Sequence, residues 1–101
     1  MDQKMHCIVT TRAQIALDHL PPDERKKAAR FLSALSAAGR LLELGDKVYK
    51  LHSVAGSDIF VGRIGTRYRA ILRQTAGSIE ILEIVDHDRL QRTYGLGGGM
   101  R

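Results

Sequence analysis

The sequence predicts a single α+β domain in which a two-helix antiparallel hairpin packs on one face of a small antiparallel β-sheet. Three observations support this class. A short β-forming stretch opens the chain, two segments with apolar residues at helical spacing follow, and the second half holds extended segments separated by turn residues. At 101 residues the chain suits one domain. We expect residues 1–94 to form it and the glycine-rich residues 95–101 to form a flexible tail.

The first half of the chain predicts a strand and two helices. Residues 5–10 are rich in β-formers and indicate an N-terminal strand. Thr10 can cap a helix that reaches about residue 19. Two consecutive prolines then separate it from a second helix over about residues 22–38, which Gly39 ends. Because the connection is short, we expect the two helices to be antiparallel neighbours.

The second half predicts extended structure. Residues 48–51 form a short approach segment, and residues 53–58 form a loop. Three strands are expected at residues 59–64, 67–74 and 79–85. Turn residues lie between them, so consecutive strands should run antiparallel.

Alternation along the middle strand predicts two unlike faces. Side chains on a strand point alternately to opposite sides of the sheet. One side then carries Tyr68, Ala70 and Leu72, and the other carries Arg67, Arg69, Ile71 and Arg73. We expect the first face to pack on the helices and the arginine face to be open to a partner.

Composition favours some classes of partner and argues against disulfides, membrane spans and cofactor sites. The net charge is 16 − 11 = +5, which favours a polyanionic or acidic partner. The one cysteine excludes an intrachain disulfide and suits a reducing cytoplasm. We find no apolar run near the roughly 20 residues of a membrane span and no secretory signal. Metal-ligand spacings and phosphate-binding glycine loops are also absent from the sequence, so we expect no metal and no small-molecule cofactor.

The basic residues of the predicted sheet are candidates for binding phosphate. Arginine offers a planar fork that binds a phosphate through two hydrogen bonds and stays charged. Arg63, Arg69 and Arg73 could reach one phosphodiester from neighbouring strands, and Lys47 and Lys50 precede them. The alternative is that these are solvated charges that keep an exposed sheet face soluble.

The segment after the last strand offers a candidate for proton transfer. His87 can accept or donate a proton near neutral pH. Alternatively it is a surface histidine at a turn or helix start, with Asp86 or Asp88 as the cap. Tyr94 could donate a proton or stack on a base, or it could pack back onto the sheet.

The order of strand, two helices and basic meander resembles the RelE/ParE superfamily of small bacterial toxins. The resemblance covers about residues 5–94. Its most specific part is R-I-G-T-R-Y-R-A-I-L at residues 63–72, which is similar to the family's arginine, apolar residue, glycine, short turn and Tyr-Arg. Lys50-Leu51 and the polar segment that ends with Tyr94 also match.

The resemblance implies a ribosome-dependent endonuclease that cuts mRNA by attack of the ribose 2′-OH on the adjacent phosphate. Arg69 would clamp the phosphate, Arg63 would assist, His87 would transfer a proton, and Tyr94 would complete the catalytic set. The implied RNA-binding residues are Lys47, Lys50, Arg67, Arg73, Arg89 and Arg92.

The sequence departs from the family pattern in two places. RNA-cutting members often carry lysines on the strand that here occupies residues 59–62, which has none. Asp88, followed by Arg89, stands near the arginine that relatives have after the last strand. Catalysis could therefore be reassigned to Arg89 and His87, or the protein could belong to a branch that does not cut RNA. Two alternatives of the second kind stay open: a ParE-like toxin that inhibits DNA gyrase by protein binding, and an inactive nucleic-acid-binding relative.

The resemblance also implies partners. Members are made with a cognate antitoxin, so we expect an acidic, partly disordered protein that covers the basic face. The other expected partners are the ribosome and mRNA, or gyrase in the alternative interpretation. We expect a cytoplasmic location and no membrane partner.

Overall fold

The computed structural model describes residues 6–38, 41–50, 59–75 and 77–94, with the backbone alone at residues 42, 43, 46, 91, 93 and 94. Four expectations lie outside these residues: the cap at Gly39, the loop at residues 53–58, the side chain of Tyr94 and the tail at residues 95–101.

The described chain is an α+β fold, which confirms the predicted class. Its elements in order are β1 (His6–Val9), α1 (Thr11–Asp18), α2 (Pro22–Ala37), a 3₁₀ segment (Leu41–Lys47), β2 (Val48–Lys50), β3 (Ile59–Ile64), β4 (Tyr68–Thr75), β5 (Ser78–Asp86) and α3 (His87–Tyr94). The five strands form one sheet in the order β1-β5-β4-β3-β2.

The two N-terminal helices begin where the sequence predicts. The Thr10 hydroxyl accepts the N–H of Ala13 at 3.2 Å and donates to the carbonyl of Ile81 at 2.9 Å. It therefore caps α1 and ties that helix to β5. Helix α2 starts at a proline and carries two acidic residues in its first turn, where the helix dipole favours negative charge.

The sheet is antiparallel from β2 to β5 and mixed at one edge. Strand β1 pairs parallel with β5, with Cys7 opposite Ile79, a direction that the sequence pattern did not specify. The predicted approach segment is itself a strand, because Val48–Lys50 pairs antiparallel with β3.

One face of the sheet packs on both helices, as the alternation predicts. Ala70 and Leu72 are fully buried there against Phe31 and Leu35 of α2. At Gly62 a Cβ would overlap the ring of Phe31, so glycine lets α2 approach the sheet closely. This contact fixes the helix beside β3.

The opposite face is not fully open, and that expectation was wrong. Helix α3 folds back over it and buries Leu90, which is 1% exposed, on Val61, Ile71 and Val85. Those three side chains need cover because they are apolar. The sequence analysis treated residues 86–94 as a polar segment, since Leu90 is the one aliphatic residue in α3.

Candidate phosphate-binding site

Arg69 is the charged residue that is buried within the described chain. Its side chain lies on the face that α3 partly covers, and it is 8% exposed. One terminal nitrogen, Nη1, donates to the carbonyl of Tyr68 at 2.9 Å and to that of Gly65 at 3.3 Å. Its Nε is buried and has no hydrogen-bond partner in the described chain. Arg69 therefore braces the β3–β4 turn while keeping an unused donor.

No described carboxylate neutralises Arg69. Two acids of β5 lie near Arg69 in the β4–β5 pairing: Asp86, opposite Tyr68, is one pair away, and Glu83, opposite Ile71, is two pairs away. Both are engaged by Arg89: its backbone N–H donates to Asp86 at 2.7 Å, and its guanidinium lies 3.7 Å from Glu83. The positive charge of Arg69 is therefore uncompensated among the described residues.

Arg63 stands directly opposite Arg69 in the β3–β4 pairing. Side chains in such a pair have Cβ atoms about 5 Å apart. The Arg63 guanidinium is exposed and lies 5.7 Å from the centre of the Tyr49 ring. An aromatic ring face attracts a cation, so Tyr49 holds Arg63 beside the Arg69 position.

His87 begins α3, two residues beyond Val85, which pairs with Arg69. Its backbone N–H donates to the carbonyl of Arg67 at 2.7 Å, which anchors the start of α3 to the β3–β4 turn. The half-buried imidazole lines a cleft of about 350 Å³ together with Thr66, Arg67, Asp86 and Asp88. The capping role weighed for Asp86 is present, because it accepts the Arg89 N–H.

Arg73 does not join this group. It is four residues further along β4, which is about 13 Å in an extended strand. Its guanidinium lies 3.6 Å from a carboxylate oxygen of Glu80, its partner on β5. Arg73 is therefore separated from Arg69 along the strand and is already paired, and the prediction that all three arginines reach one phosphodiester stays a prediction.

The other predicted RNA-binding residues are dispersed. Lys47 lies near Arg63 in a second cleft, whereas Lys50 lies at the far end of β2. Arg67 is exposed in the turn, with its guanidinium 5.8 Å from the Tyr68 ring, and Arg92 is exposed in the last turn of α3. Tyr94 ends α3.

Two basic residues were missed by the sequence-based selection. Lys27 and Arg30 of α2 line a cleft of about 300 Å³ together with Lys47 and Arg63. Their spacing of three residues, which places both on one side of a helix, was the available signal. The sequence could not show that this side of α2 borders β3.

The described residues were also compared with the requirements of a membrane-spanning helix and of a metal site. None of the helices in residues 6–38, 41–50, 59–75 and 77–94 has the length and apolar character needed to cross a membrane. In that same part of the chain, no three side chains among His, Cys, Asp and Glu are grouped to hold a metal ion.

Solved structures share this fold. A chain of the archaeal RelE–RelB complex from Pyrococcus horikoshii OT3 matches with a TM-score of 0.67 and 24% identity, over 85% of this chain and 98% of that one. A chain of the RelBE2 toxin–antitoxin complex from Mycobacterium tuberculosis gives 0.64 and 22%, over 83% and 92%. The YoeB dimer from Staphylococcus aureus gives 0.61 and 19%, over 79% and 93%.

Comparison of the sequence with protein families and with curated proteins gives no match. The structural likeness, at 24% identity or less, establishes the fold. The chain has a RelE-like fold, which confirms the resemblance predicted from the sequence at the level of architecture.

Proposed function

We propose that this chain is the toxin of a type II toxin–antitoxin pair and that it cuts mRNA on the ribosome. The fold is shared with chains of RelE–RelB complexes and with YoeB, which supports the toxin class. The observation that carries the chemistry is the buried, uncompensated guanidinium of Arg69 beside Arg63.

A buried charge without a counter-ion is energetically costly. Removing a cation from water costs several kcal/mol, on the order of what a paired anion can return. Backbone carbonyls at 2.9 and 3.3 Å offset part of this cost for Arg69. The rest is recovered when an anion binds, and perturbed charges of this kind cluster at functional sites. A phosphodiester is an anion that a guanidinium binds well.

Arg69 and Arg63 would act on the transferring phosphate. In the proposed reaction the 2′-oxygen forms a bond to phosphorus, and the bond from phosphorus to the 5′-oxygen of the next nucleotide breaks. Negative charge develops on the phosphate oxygens, and two preplaced guanidiniums stabilise that charge more in the transition state than in the ground state.

His87 is the proposed proton-transfer group. The 2′-hydroxyl loses a proton in this reaction and the leaving 5′-oxygen gains one, and an imidazole can serve either step. His87 lies beyond the end of β5, next to the turn that Arg69 braces. The proposed dependence on the ribosome follows because a site with charge but few positioning groups gains from an externally oriented substrate.

The proposed antitoxin is an acidic chain. The net charge of +5 would accelerate association with an acidic protein, and a segment that folds on binding can cover a large surface. Such a partner, the ribosome and mRNA together place the proposed activity in the cytoplasm.

Primer extension on cellular transcripts after induced expression tests this function. We expect growth arrest, new 5′ ends within translated messages, and suppression of both when the cognate antitoxin is co-expressed. Growth arrest with intact messages and DNA-damage signalling would contradict mRNA cleavage and support gyrase inhibition instead. No growth effect, with salt-sensitive nucleic-acid binding alone, would support an inactive relative.

A further inference from the structure

A pocket of about 300 Å³ between α2 and β3 gathers four basic side chains from separate parts of the chain. We name it the basic pocket. Lys27 and Arg30 come from α2, Lys47 from the end of the 3₁₀ segment and Arg63 from β3. Phe31 and Gly65 also line it.

The fold explains why these cations meet. Strand β2 pairs with β3 only as far as Gly62, which stands opposite Val48, so Arg63 lies on the edge of β3 beyond the last residue paired with β2. Lys47 immediately precedes β2 and lies at that edge. Phe31 sits against Gly62, and this close approach brings the basic side of α2 to the same place.

The basic pocket is not neutralised by its own lining. No acidic side chain lines it among the residues whose side chains the structure describes. Glu24 contacts Lys27 at 3.4 Å, with the lysine side chain 43% exposed and the glutamate side chain 17% exposed. Glu24 therefore masks the ammonium of Lys27, whereas Arg30, Lys47 and Arg63 form no ion pair with a described carboxylate. Like charges near one another repel, so an anion bound in the pocket is favoured by the cations that Glu24 does not mask.

We propose that the basic pocket binds a phosphate of the RNA strand next to the phosphate held by Arg69. The inference rests on the proposed function, since the strand is the one being cut. Arg63 links the two places: it stands opposite Arg69 in the sheet and also lines the pocket. Successive phosphates of one strand can therefore meet Arg69, Arg63 and the helix cations in turn.

An aromatic ring at the same arginine favours RNA over an acidic peptide. Arg63 lies over Tyr49, and both line an adjoining cleft of about 410 Å³. Proteins that bind single strands combine cations along the backbone with aromatic rings next to bases. A run of carboxylates would use the cations but would gain little from the ring. Phosphate contacts of this kind set position and affinity without reading sequence.

The test compares two double variants with the same charge. Lys27→Gln with Arg30→Gln removes two cations of the basic pocket. Arg12→Gln with Lys26→Gln removes two exposed helix cations that do not line it, and each double variant lowers the net charge from +5 to +3. The probe is a short single-stranded RNA with 2′-O-methyl riboses, which blocks attack by the 2′-oxygen. Thermal melting confirms that both variants fold.

Affinity is measured across a range of salt concentrations. We expect the pocket variant to bind the RNA about 10-fold more weakly and to lose about 0.7 in the salt slope for each phosphate contact removed. The control variant should weaken binding by less than about threefold, since screening limits the effect of distant charges.

Equal losses in the two double variants would overturn the assignment of the basic pocket. So would a pocket variant that keeps RNA affinity but loses binding to a polyglutamate peptide, because the occupant would then be an acidic protein. If the parent protein cuts ribosome-bound mRNA while both variants bind RNA alike, only this inference fails. If the parent does not cut but the pocket variant loses RNA affinity, only the proposed function fails.

Discussion

Arg69 and Arg73 lie at opposite ends of one sheet face, and they differ in burial and in ion pairing. At the end next to the β3–β4 turn, Arg69 is 8% exposed and has no described counter-ion. Four residues further along the same strand, the Arg73 side chain is 53% exposed and contacts Glu80 at 3.6 Å. The charge of the first arginine is uncompensated among the described residues, and the charge of the second is already neutralised in part.

An extra residue in β5 accounts for the pairing of Arg73 with Glu80. The pairing advances from Ile71 opposite Glu83 to Leu72 opposite Ile81, so Leu82 is inserted as a β-bulge. With strict alternation, Glu80 would point toward the helices. The bulge resets the alternation and brings Glu80 to the same face as Arg73. Two arginines on the same face of β4 can therefore differ in how available their charges are for binding an anion.

The largest effect we expect comes from removing the cover over the Arg69 end. Leu90→Ala deletes the side chain that α3 buries on Val61, Ile71 and Val85. An eight-residue helix is not stable alone, so its position depends on this contact. The free energy of unfolding should fall by about 2–5 kcal/mol, measured by urea denaturation. Leu82→Ala, on the same face but half-buried, is the control, and an equal loss there would contradict this role for Leu90.

A smaller effect is expected for the cleavage rate when His87, the proposed proton-transfer group near Arg69, is replaced. His87→Gln should lower the single-turnover rate of mRNA cleavage on the ribosome by about 100-fold, because general acid–base catalysis typically contributes that much. Asp88→Asn, which changes the same cleft, should stay within about threefold of the parent. If the two substitutions gave similar rates, His87 would be a structural residue and the Arg69 end would lack its proposed base.

Arg63 and Arg89 allow a second comparison, between an arginine without a described ion pair and an arginine with one. Arg63→Gln should weaken RNA affinity about 10-fold. It removes a guanidinium that forms no ion pair with a described carboxylate and could bind a phosphate through charge-assisted hydrogen bonds. Arg89→Gln should weaken it by less than about twofold, because Arg89 already contacts Glu83 at 3.7 Å. Filter-binding at fixed salt measures both. The same loss in each would show that ion pairing on this surface does not govern RNA binding.

The smallest effect is expected when the ion pair between Arg73 and Glu80 is removed. Glu80→Gln removes the acid beside Arg73, so RNA affinity should rise about threefold and the salt slope should steepen by about 0.7. Adding Arg73→Gln to this variant should return both quantities to the parent values. An unchanged salt slope in Glu80→Gln would mean that Glu80 does not mask Arg73.

Local sequence patterns predicted most of the fold. Thr10, the two prolines and the β3–β4 turn are marked by residue types whose local chemistry decides the backbone. The predicted strand at residues 59–64 has the observed bounds of β3. The parallel pairing of β1 with β5 was not predicted, because it joins residues 72 positions apart that carry no local signal of direction.

The candidate site was less predictable because it depends on tertiary contacts. Alternation placed Arg69 and Arg73 on one face, which the pairing bears out. It could not show that a bulge supplies Glu80 to Arg73, or that α3 returns over the face. Lys27 and Arg30 were also overlooked, since their place beside Arg63 depends on Phe31 packing at Gly62.

The central claim is that the unpaired charge of Arg69, and not the arginine content of β4, drives cleavage. The most direct test is the single-turnover rate of cleavage of ribosome-bound mRNA by Arg69→Met and by Arg73→Met. We predict a loss of at least about 100-fold for Arg69→Met, with a melting temperature close to the parent's, and a change within about threefold for Arg73→Met. Equal losses in the two variants, or a parental rate in Arg69→Met, would contradict the account.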